Sequence, residues 1–166
     1  VRIERVEILP DSAGPGQYRG GLGSRLELTL LAGRAQADVL LPGRAAGRRG
    51  GMRGSVGRLI TQAAEAGRRE LDGGALQTVE LAAGSRLALE SPGGGGWGMP
   101  FQRSIMRLEE DLARGLVSPA QSKNRYGVVL KPGSLEKDDH LTYRVRHYLL
   151  STLAVEDIIA GEELLE

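Results

Sequence analysis

The chain has 166 residues, 25 of them glycine and none of them cysteine, and its 22 basic and 21 acidic side chains leave a net charge of +1. The lack of cysteine excludes a disulfide scaffold and a cysteine-ligated metal site. The balanced charge excludes a global field that would attract nucleic acid or an anionic membrane. The longest apolar runs are far shorter than the ~18 residues of a membrane span, so we expect a cytoplasmic protein without a leader peptide, and Val1 in place of an initiator Met indicates a fragment.

The first 100 residues hold 21 of the 25 glycines and show the alternation of apolar and polar residues that is typical of strands. Short alternating runs predict strands at 1–8 and 26–30, with the turn formers of 10–16 between them. Two further runs, 76–81 and 86–90, are joined by a glycine-containing loop and predict a β-hairpin. Its inward-facing residues are expected to be Val79, Leu81, Leu87 and Leu89.

Beyond Pro100 the apolar spacing changes to three and four residues, which is the period of a helix. Apolar residues at this spacing run through 104–114, and Gly115 stands where a left-handed residue would end the helix. Residues 118–121 then form a capping box with proline at the first helical position. A second short helix is therefore predicted, ending before Gly127.

The end of the chain changes composition once more. Residues 131–142 combine Pro, Gly and a run of charges, which is typical of a linker. Residues 145–155 are apolar and β-branched enough to predict a strand, followed by a turn at Gly161.

Together these patterns predict an α+β fold, with short β-strands and glycine-rich loops in the first 100 residues, two short helices near 104–126 and an extended C-terminal tail. The same patterns divide the chain into a region 1–130, a linker 131–142 and an appended strand and turn at 143–166.

The run 93–98 contains the G-x-G-x-x-G spacing of a dinucleotide fingerprint and follows a predicted strand. The context disagrees, because Pro100 interrupts before the helix and no second strand ending in an acidic residue follows about 20 residues on. A P-loop also fails, since Met99 and Pro100 stand where Lys and Ser or Thr are needed. We interpret 93–98 as a loop that lets backbone segments pass closely, with Trp97 as a packing anchor, and the alternative is a ligand-facing or partner-facing loop.

Arginines are concentrated in residues 43–70, which hold only two acidic residues. They are Arg44, Arg48, Arg49, Arg53, Arg58, Arg68 and Arg69. Glycine-arginine segments can bind RNA, but this one lacks aromatic residues for base stacking, so nucleic-acid binding is not expected. We interpret 43–57 as a mobile, solvated loop. The alternative is an interaction module that binds an anionic partner, since arginine can hold a carboxylate or phosphate bidentately.

Candidate catalytic residues are few. His140 and His147 are the only histidines and lack partners at metal-ligand spacing. No serine sits in a G-x-S-x-G elbow, and residues 109–111 are a charge run on the polar face of the first predicted helix. From its residues alone, the chain lacks a self-contained active site, and its catalytic residues are unknown.

Three blocks of the sequence resemble the hydantoinase B/oxoprolinase family. Residues 11–23 read D-S-A-G-P-G-Q-Y-R-G-G-L-G and resemble that family's D-S-G-G-P-G-x-x-R-G-G-L-G block. Residues 91–100 resemble its T-P-G-G-G-G-Y-G-D-P block, and residues 111–130 resemble its closing D-V-x-x-G-L-V-S…Y-G-V-V-L. Three blocks in the right order are far more specific than one glycine motif.

This resemblance implies an ATP-dependent enzyme that opens cyclic amides at a C–N bond, as N-methylhydantoinases and 5-oxoprolinases do, or a related carboxylase subunit. It implies ATP and a divalent metal for the whole enzyme, with no cofactor or metal ligand in this chain. The implied partners are a hydantoinase A-type subunit or domain and the missing N-terminal part of a B-type subunit. This piece is expected to be structural and inactive alone. The binding candidates in the matching blocks are Asp11, Tyr18, Arg19, Gly93, Gly94, Gly95, Gly96 and Trp97.

Departures from the family pattern concern the loops and the tail. Where the family has a W-G-x-x-G-G-x-x-G-x-x-G segment, residues 45–57 keep glycines but carry arginines and no tryptophan. Met99 replaces the usual Asp of the second block, and Trp97 replaces Tyr. Separately, residues 153–165 resemble the x-D-I-x-x-G-E-x-L turn of SAF or antifreeze-like domains, which implies a partial SAF-like segment at the C-terminus.

Overall fold

The computed structural model describes residues 1–63 and 67–162, with only the backbone described for 153–162. The chain divides into two compact units, Val1–Pro100 and Phe101–Glu166. The first unit holds the strands and the second the α-helices, which confirms the predicted α+β class. No helix among the described residues is long and apolar enough to cross a membrane.

Strands of the first unit form two antiparallel sheets. The strands are β1 (Arg2–Ile8), β2 (Ser24–Thr29), β3 (Arg34–Leu40), β4 (Arg58–Ala63), β5 (Gly67–Asp72), β6 (Leu76–Ala82) and β7 (Arg86–Glu90). The larger sheet has the order β1-β2-β7-β4-β5, and β3 pairs with β6 in a separate two-stranded sheet. The last strand along the chain therefore lies at the centre of the larger sheet.

The two faces of the five-stranded sheet differ in polarity. Leu28 lies opposite Leu87, and Leu59 lies opposite Leu89, so the leucines of three neighbouring strands share one face. Leu59 and Leu87 are buried on that face. The other face is charged, and there Arg25 forms ion pairs with both Glu27 and Glu90.

The predicted hairpin between 76–81 and 86–90 is wrong. A turn does join the two runs, since the Ser85 amide donates to the Ala82 carbonyl over 3.0 Å. However, β6 pairs with β3, and β7 pairs with β2 and β4. The turn residues act locally and do not determine the partners of the two strands, whereas β7 continues the leucine face of β2 and β4.

The first two helices of the second unit confirm the prediction. Helix α1 (Ile105–Ala113) is followed by Gly115 with φ 66°, and helix α2 (Pro119–Tyr126) ends at Gly127 with φ 65°. The Ser118 hydroxyl accepts a hydrogen bond from the Gln121 amide over 3.1 Å, as the capping box predicts. The apolar core of this unit consists of Leu108, Leu112, Val117, Tyr126 and Val128, with Leu130 packed against it.

The extended C-terminal tail is wrong, because residues Asp139–Glu162 form helix α3 where a strand and a turn at Gly161 are predicted. The Asp138 carboxylate caps this helix by accepting from the Leu141 amide over 2.9 Å. Leu141, Val145 and Leu149 recur every four residues, and this helical spacing prevails over the β-branched composition. The last four residues of the predicted linker 131–142 therefore belong to this helix. The end of the SAF-like resemblance, 163–165, lies outside the described residues, and that resemblance stays a prediction.

Candidate functional site

Three glycine-rich loops of the first unit pack against one another. We call them the first loop (11–23), the second loop (45–57) and the third loop (91–99). The Gly14 amide donates to the Gly94 carbonyl over 2.8 Å, which joins the first loop to the third. The Met52 amide donates to Pro15 over 2.7 Å, and the Arg48 amide donates to Gly96 over 2.9 Å, so the second loop is joined to both others. The prediction of a mobile, solvated second loop is therefore wrong.

Close backbone approach explains why these loops are built of glycine. A Cβ atom added at Gly93 would lie closer than 3.0 Å to the Ser12 carbonyl, and one at Gly54 would meet the Gly93 carbonyl in the same way. A Cβ at Gly95 would meet the carbonyl of Ala46. All three obstacles are backbone atoms, which cannot rotate away as a flexible side chain can. The predicted role of 93–98, close passage of backbone segments, is confirmed and extends to the second loop.

Hydrogen bonds within the chain occupy most of the amide groups that a phosphate-binding loop would present to its ligand. Five backbone amides of the third loop donate hydrogen bonds of 2.8–3.0 Å: Gly93 to Ser55 Oγ, Gly94 to the Gly21 carbonyl, Gly96 to the Met52 carbonyl, Trp97 to the Tyr18 carbonyl and Gly98 to the Arg48 carbonyl. A Walker or Rossmann loop needs such amides free to cradle phosphate oxygens. The G-x-G-x-x-G spacing is therefore a packing motif here, as the sequence context indicates.

Aromatic and arginine side chains form the exposed edge of the loops. Tyr18 and Trp97 exchange backbone hydrogen bonds of 3.0 and 2.9 Å, and their ring centroids lie 5.6 Å apart with the planes tilted by 58°. The Arg49 guanidinium lies 5.7 Å from the centre of the Trp97 ring, within cation–π range. Tyr18 is 52% exposed and Trp97 43%. We call Tyr18, Arg49 and Trp97 the aromatic–arginine cluster.

The remaining candidates fall into different surroundings. Asp11 is half-buried at the start of the first loop with φ 59°, a left-handed conformation that Asp tolerates. The Arg19 guanidinium donates to the Gly20 carbonyl over 3.0 Å. Gly93 and Gly96 are buried, and Gly94 and Gly95 are half-buried, among the packed loops. The structure thus brings Tyr18 and Trp97 together at the surface, while the four glycines act through their backbone.

Sequence reasoning did not place Arg49 or Met99 at this edge of the loops. Arg49 has φ 50° and precedes Gly50 with φ 81°, so the two form a left-handed turn that aims the guanidinium at Trp97. A Cβ at Gly50 would meet the Met99 side chain, which shows that Met99 packs on this turn. The glycine pair at 50–51 is the sequence signal that indicates the turn.

The seven arginines do not form one patch. Arg58 and Arg68 both pair with Glu70, at 3.4 and 3.3 Å, on the charged face of the sheet. Arg69 lies opposite Thr61 and points to the other face. The other arginines of this set lie outside the strands and are exposed, and Arg49 contacts Trp97.

Among its described residues, the second unit contains a buried ion pair and two exposed histidines. His140 and His147 are exposed on α3, and within 1–63 and 67–162 no three His, Cys, Asp or Glu residues come together as a metal would require. Arg103 and Asp111 form a buried pair at 2.7 Å. Arg146 donates to the Tyr126 and Arg103 carbonyls at 3.1 Å, and burial lowers the pKa of Arg146.

The packed glycine-rich loops lie within the part of the chain that a known family matches. The model of the hydantoinase B/oxoprolinase family matches residues 1–100, which include the first and third loops and the second loop between them. The chain belongs to the hydantoinase B/oxoprolinase family.

Relatives in this family are several times longer. The beta subunit of the caprolactamase of Pseudomonas jessenii is 34% identical over 158 residues, covering 88% of this chain and 26% of that protein. A protein assigned as the B component of a D-/L-hydantoinase, from Pseudomonas sp. strain NS671, is 29% identical over 135 residues, covering 78% and 22%. The chain therefore spans about a quarter of the length of the curated relatives it matches.

Solved structures show the same fold. The crystal structure of the ATP-dependent caprolactamase of Pseudomonas jessenii matches with a TM-score of 0.69 at 29% identity, over 87% of this chain and 26% of that one. The nucleotide-free structure of acetone carboxylase also gives a TM-score of 0.69, at 19% identity, over 96% and 27%. At that identity the second likeness establishes the fold alone.

Proposed function

We propose that the chain is part of the B-type subunit of an ATP-dependent hydrolase that opens a cyclic amide at its C–N bond. The proposal rests on the family and on the caprolactamase relative, an ATP-dependent enzyme with a beta subunit. In this proposal a hydantoinase A-type partner binds ATP, which supplies the phosphoryl group that activates the substrate. The divalent metal is held outside the residues described for this chain.

The proposed role of this region is structural rather than catalytic. The observation that carries it is the use of the loop amides: those of Gly93, Gly94 and Gly96 are already engaged in hydrogen bonds within the chain. A rigid set of packed loops of this kind can hold neighbouring segments in fixed positions, as preorganised sites require. A related carboxylase is the second candidate, favoured only by the likeness of fold to acetone carboxylase.

We further propose that the aromatic–arginine cluster is where this region contacts the rest of the enzyme. Trp, Tyr and Arg are the residue types that dominate binding energy at protein interfaces. Here Trp97 is the only tryptophan of the chain, and it remains 43% exposed although its backbone is fixed on both sides. In this proposal the exposed arginines contact a protein surface and not a nucleic acid. The alternative is that they bind an anionic partner.

Reconstitution tests the reaction class. The isolated chain is assayed for ATP-dependent opening of caprolactam, 5-oxoproline and hydantoin, alongside a B-type subunit whose corresponding region is replaced by this chain, combined with its A-type partner. We expect no turnover by the chain alone and turnover by the reconstituted enzyme. Turnover by the chain alone would contradict a structural role. ATP-dependent carboxylation of acetone in place of hydrolysis would select the carboxylase.

Variants of the cluster test the contact. Trp97→Ala and Arg49→Ala are expected to weaken association with the A-type partner or with the remainder of the B-type polypeptide by about 30-fold, since hot-spot truncations cost about 2 kcal/mol or more. Tyr143→Ala is the matched control, because Tyr143 is an aromatic residue that is 69% exposed on α3. Equal affinities of all three variants, measured by titration calorimetry, would refute the proposed contact.

A further inference from the structure

Strand β1 is an edge strand that leaves apolar side chains exposed. It pairs with β2 on one side, and within the described residues no strand pairs with its other side. Ile3, Val6 and Ile8 are 64%, 70% and 58% exposed. An open edge of this length presents unpaired backbone groups, and soluble proteins normally protect such an edge or use it for pairing.

A β-bulge sorts the side chains of β1 onto two faces. Ile3 lies opposite Leu28 and Val6 opposite Leu26, with the register shifted between residues 3 and 5. Opposed residues share a face, so Ile3 and Val6 both lie on the leucine face although three positions separate them. Glu4, the extra residue, accepts from Arg2 over 2.8 Å on the charged face.

The charged residues of β1 form a self-complementary pattern. Arg2, Glu4, Arg5 and Glu7 alternate in sign along the charged face. If a second β1 ran antiparallel so that residue 2 lay opposite residue 7, residue 4 would lie opposite residue 5. Every pair on the charged face would then join a basic to an acidic residue, and Ile3 would lie opposite Val6 on the apolar face.

We propose that β1 pairs antiparallel with β1 of a second copy of this chain, in the register that places Arg2 opposite Glu7, to form a two-fold dimer with one continuous ten-stranded sheet. Opposite charges directly across strands stabilise pairing and like charges oppose it, so this pattern favours a copy of the chain over an unrelated strand. Such a two-fold contact uses the same patch on both chains, as isologous dimers do.

The bulge is what makes this register compatible with two-fold symmetry. In a regular strand, residues 4 and 5 point to opposite faces, so a two-fold axis perpendicular to the sheet could not place them opposite each other with side chains on one side. Because the bulge places both on the charged face, the apolar faces of the two copies align on the same side of the joined sheet. A feature that usually protects an edge here sets its pairing register.

Charge-reversal variants, mixed in pairs, test the proposal on the full chain. Arg2→Glu alone places two glutamates opposite each other, and Glu7→Arg alone places two arginines opposite each other, so each should weaken dimerisation at least about tenfold. In an equimolar mixture, each variant offers the charge that the other lacks at both symmetric positions. The mixture should therefore recover heterodimers of near wild-type affinity, as should the double variant Arg2→Glu/Glu7→Arg by itself.

Sedimentation equilibrium over a wide range of concentration measures the association, with any affinity tag at the C-terminus and folding checked by circular dichroism. Glu110→Arg, an exposed reversal on α1, is the control and should leave the dimer unchanged. A wild-type chain that stays monomeric throughout would overturn the proposal. So would a dimer that is insensitive to both reversals, or a mixture of folded variants that stays monomeric.

Discussion

Replacing Gly93 by alanine is expected to destabilise the first unit by about 3 kcal/mol or more. The new methyl group would lie closer than 3.0 Å to both the Ser12 carbonyl and the Ala13 amide. Ser12 cannot move aside freely, because its hydroxyl donates to Leu9 over 2.6 Å and accepts from Gly23 over 2.8 Å, and its carbonyl accepts from Ser55 over 2.7 Å. Overpacking costs about 1–3 kcal/mol, and each hydrogen bond lost adds about 1 kcal/mol.

Urea and thermal unfolding measure this loss, with the fluorescence of Trp97 as the probe, since it is the only tryptophan and lies in the third loop. A loss of about 3 kcal/mol lowers Tm by roughly 12–24 °C for a unit of this size. Gly21→Ala is the control, because a Cβ at Gly21 meets nothing within 4 Å. Equal midpoints for Gly93→Ala and Gly21→Ala would refute the close packing of these loops.

Two further substitutions examine other parts of the structure. Gly54→Ala is expected to cost about as much as Gly93→Ala, because its methyl group would meet the Gly93 carbonyl, whereas Gly43→Ala, with its nearest atom at 3.9 Å, should be neutral in the same unfolding assay. If Gly54→Ala left the stability unchanged, the close packing of the second loop would be contradicted and the prediction of a mobile loop would be favoured. Asp111→Ala leaves Arg103 buried without its carboxylate partner and should cost about 3–5 kcal/mol by urea denaturation followed by circular dichroism. Glu110→Ala, one residue away but exposed, is its control, and an equal cost would contradict the importance of the buried pair.

Local signals in the sequence were sufficient where a local interaction decides the structure. The hydroxyl of Ser118 and the left-handed Gly127 mark the ends of α2 in the sequence and in the structure alike. Asp138 caps the start of α3 in the same way, but the charges around it indicated a linker, and the β-branched residues that follow predicted a strand. The sequence of this segment contains both β-branched residues, which favour a strand, and the four-residue spacing of Leu141, Val145 and Leu149, which favours a helix. The structure follows the spacing.

Long-range features were less accessible. The turn before Ser85 is visible in the sequence, yet the pairing of β6 with β3 depends on residues some 40 positions away. Similarly, composition marks the second loop as basic and polar, which favours a solvated loop. Its packing against the third loop follows from close backbone contacts of Gly51 and Gly54 that only glycine permits. The sequence shows these glycines but does not identify the residues that they contact.

The central position of β7 determines when the first unit can fold. Both β2 and β4 bond to β7, whose residues are the last of the seven strands to leave the ribosome. Until β7 has left the ribosome, β1 with β2 and β4 with β5 are separate antiparallel ribbons without the strand that joins them. Closing such distant contacts is slow, because chain entropy is lost before the contacts form. The nascent chain is therefore most prone to aggregate just before the strand that joins its two halves emerges.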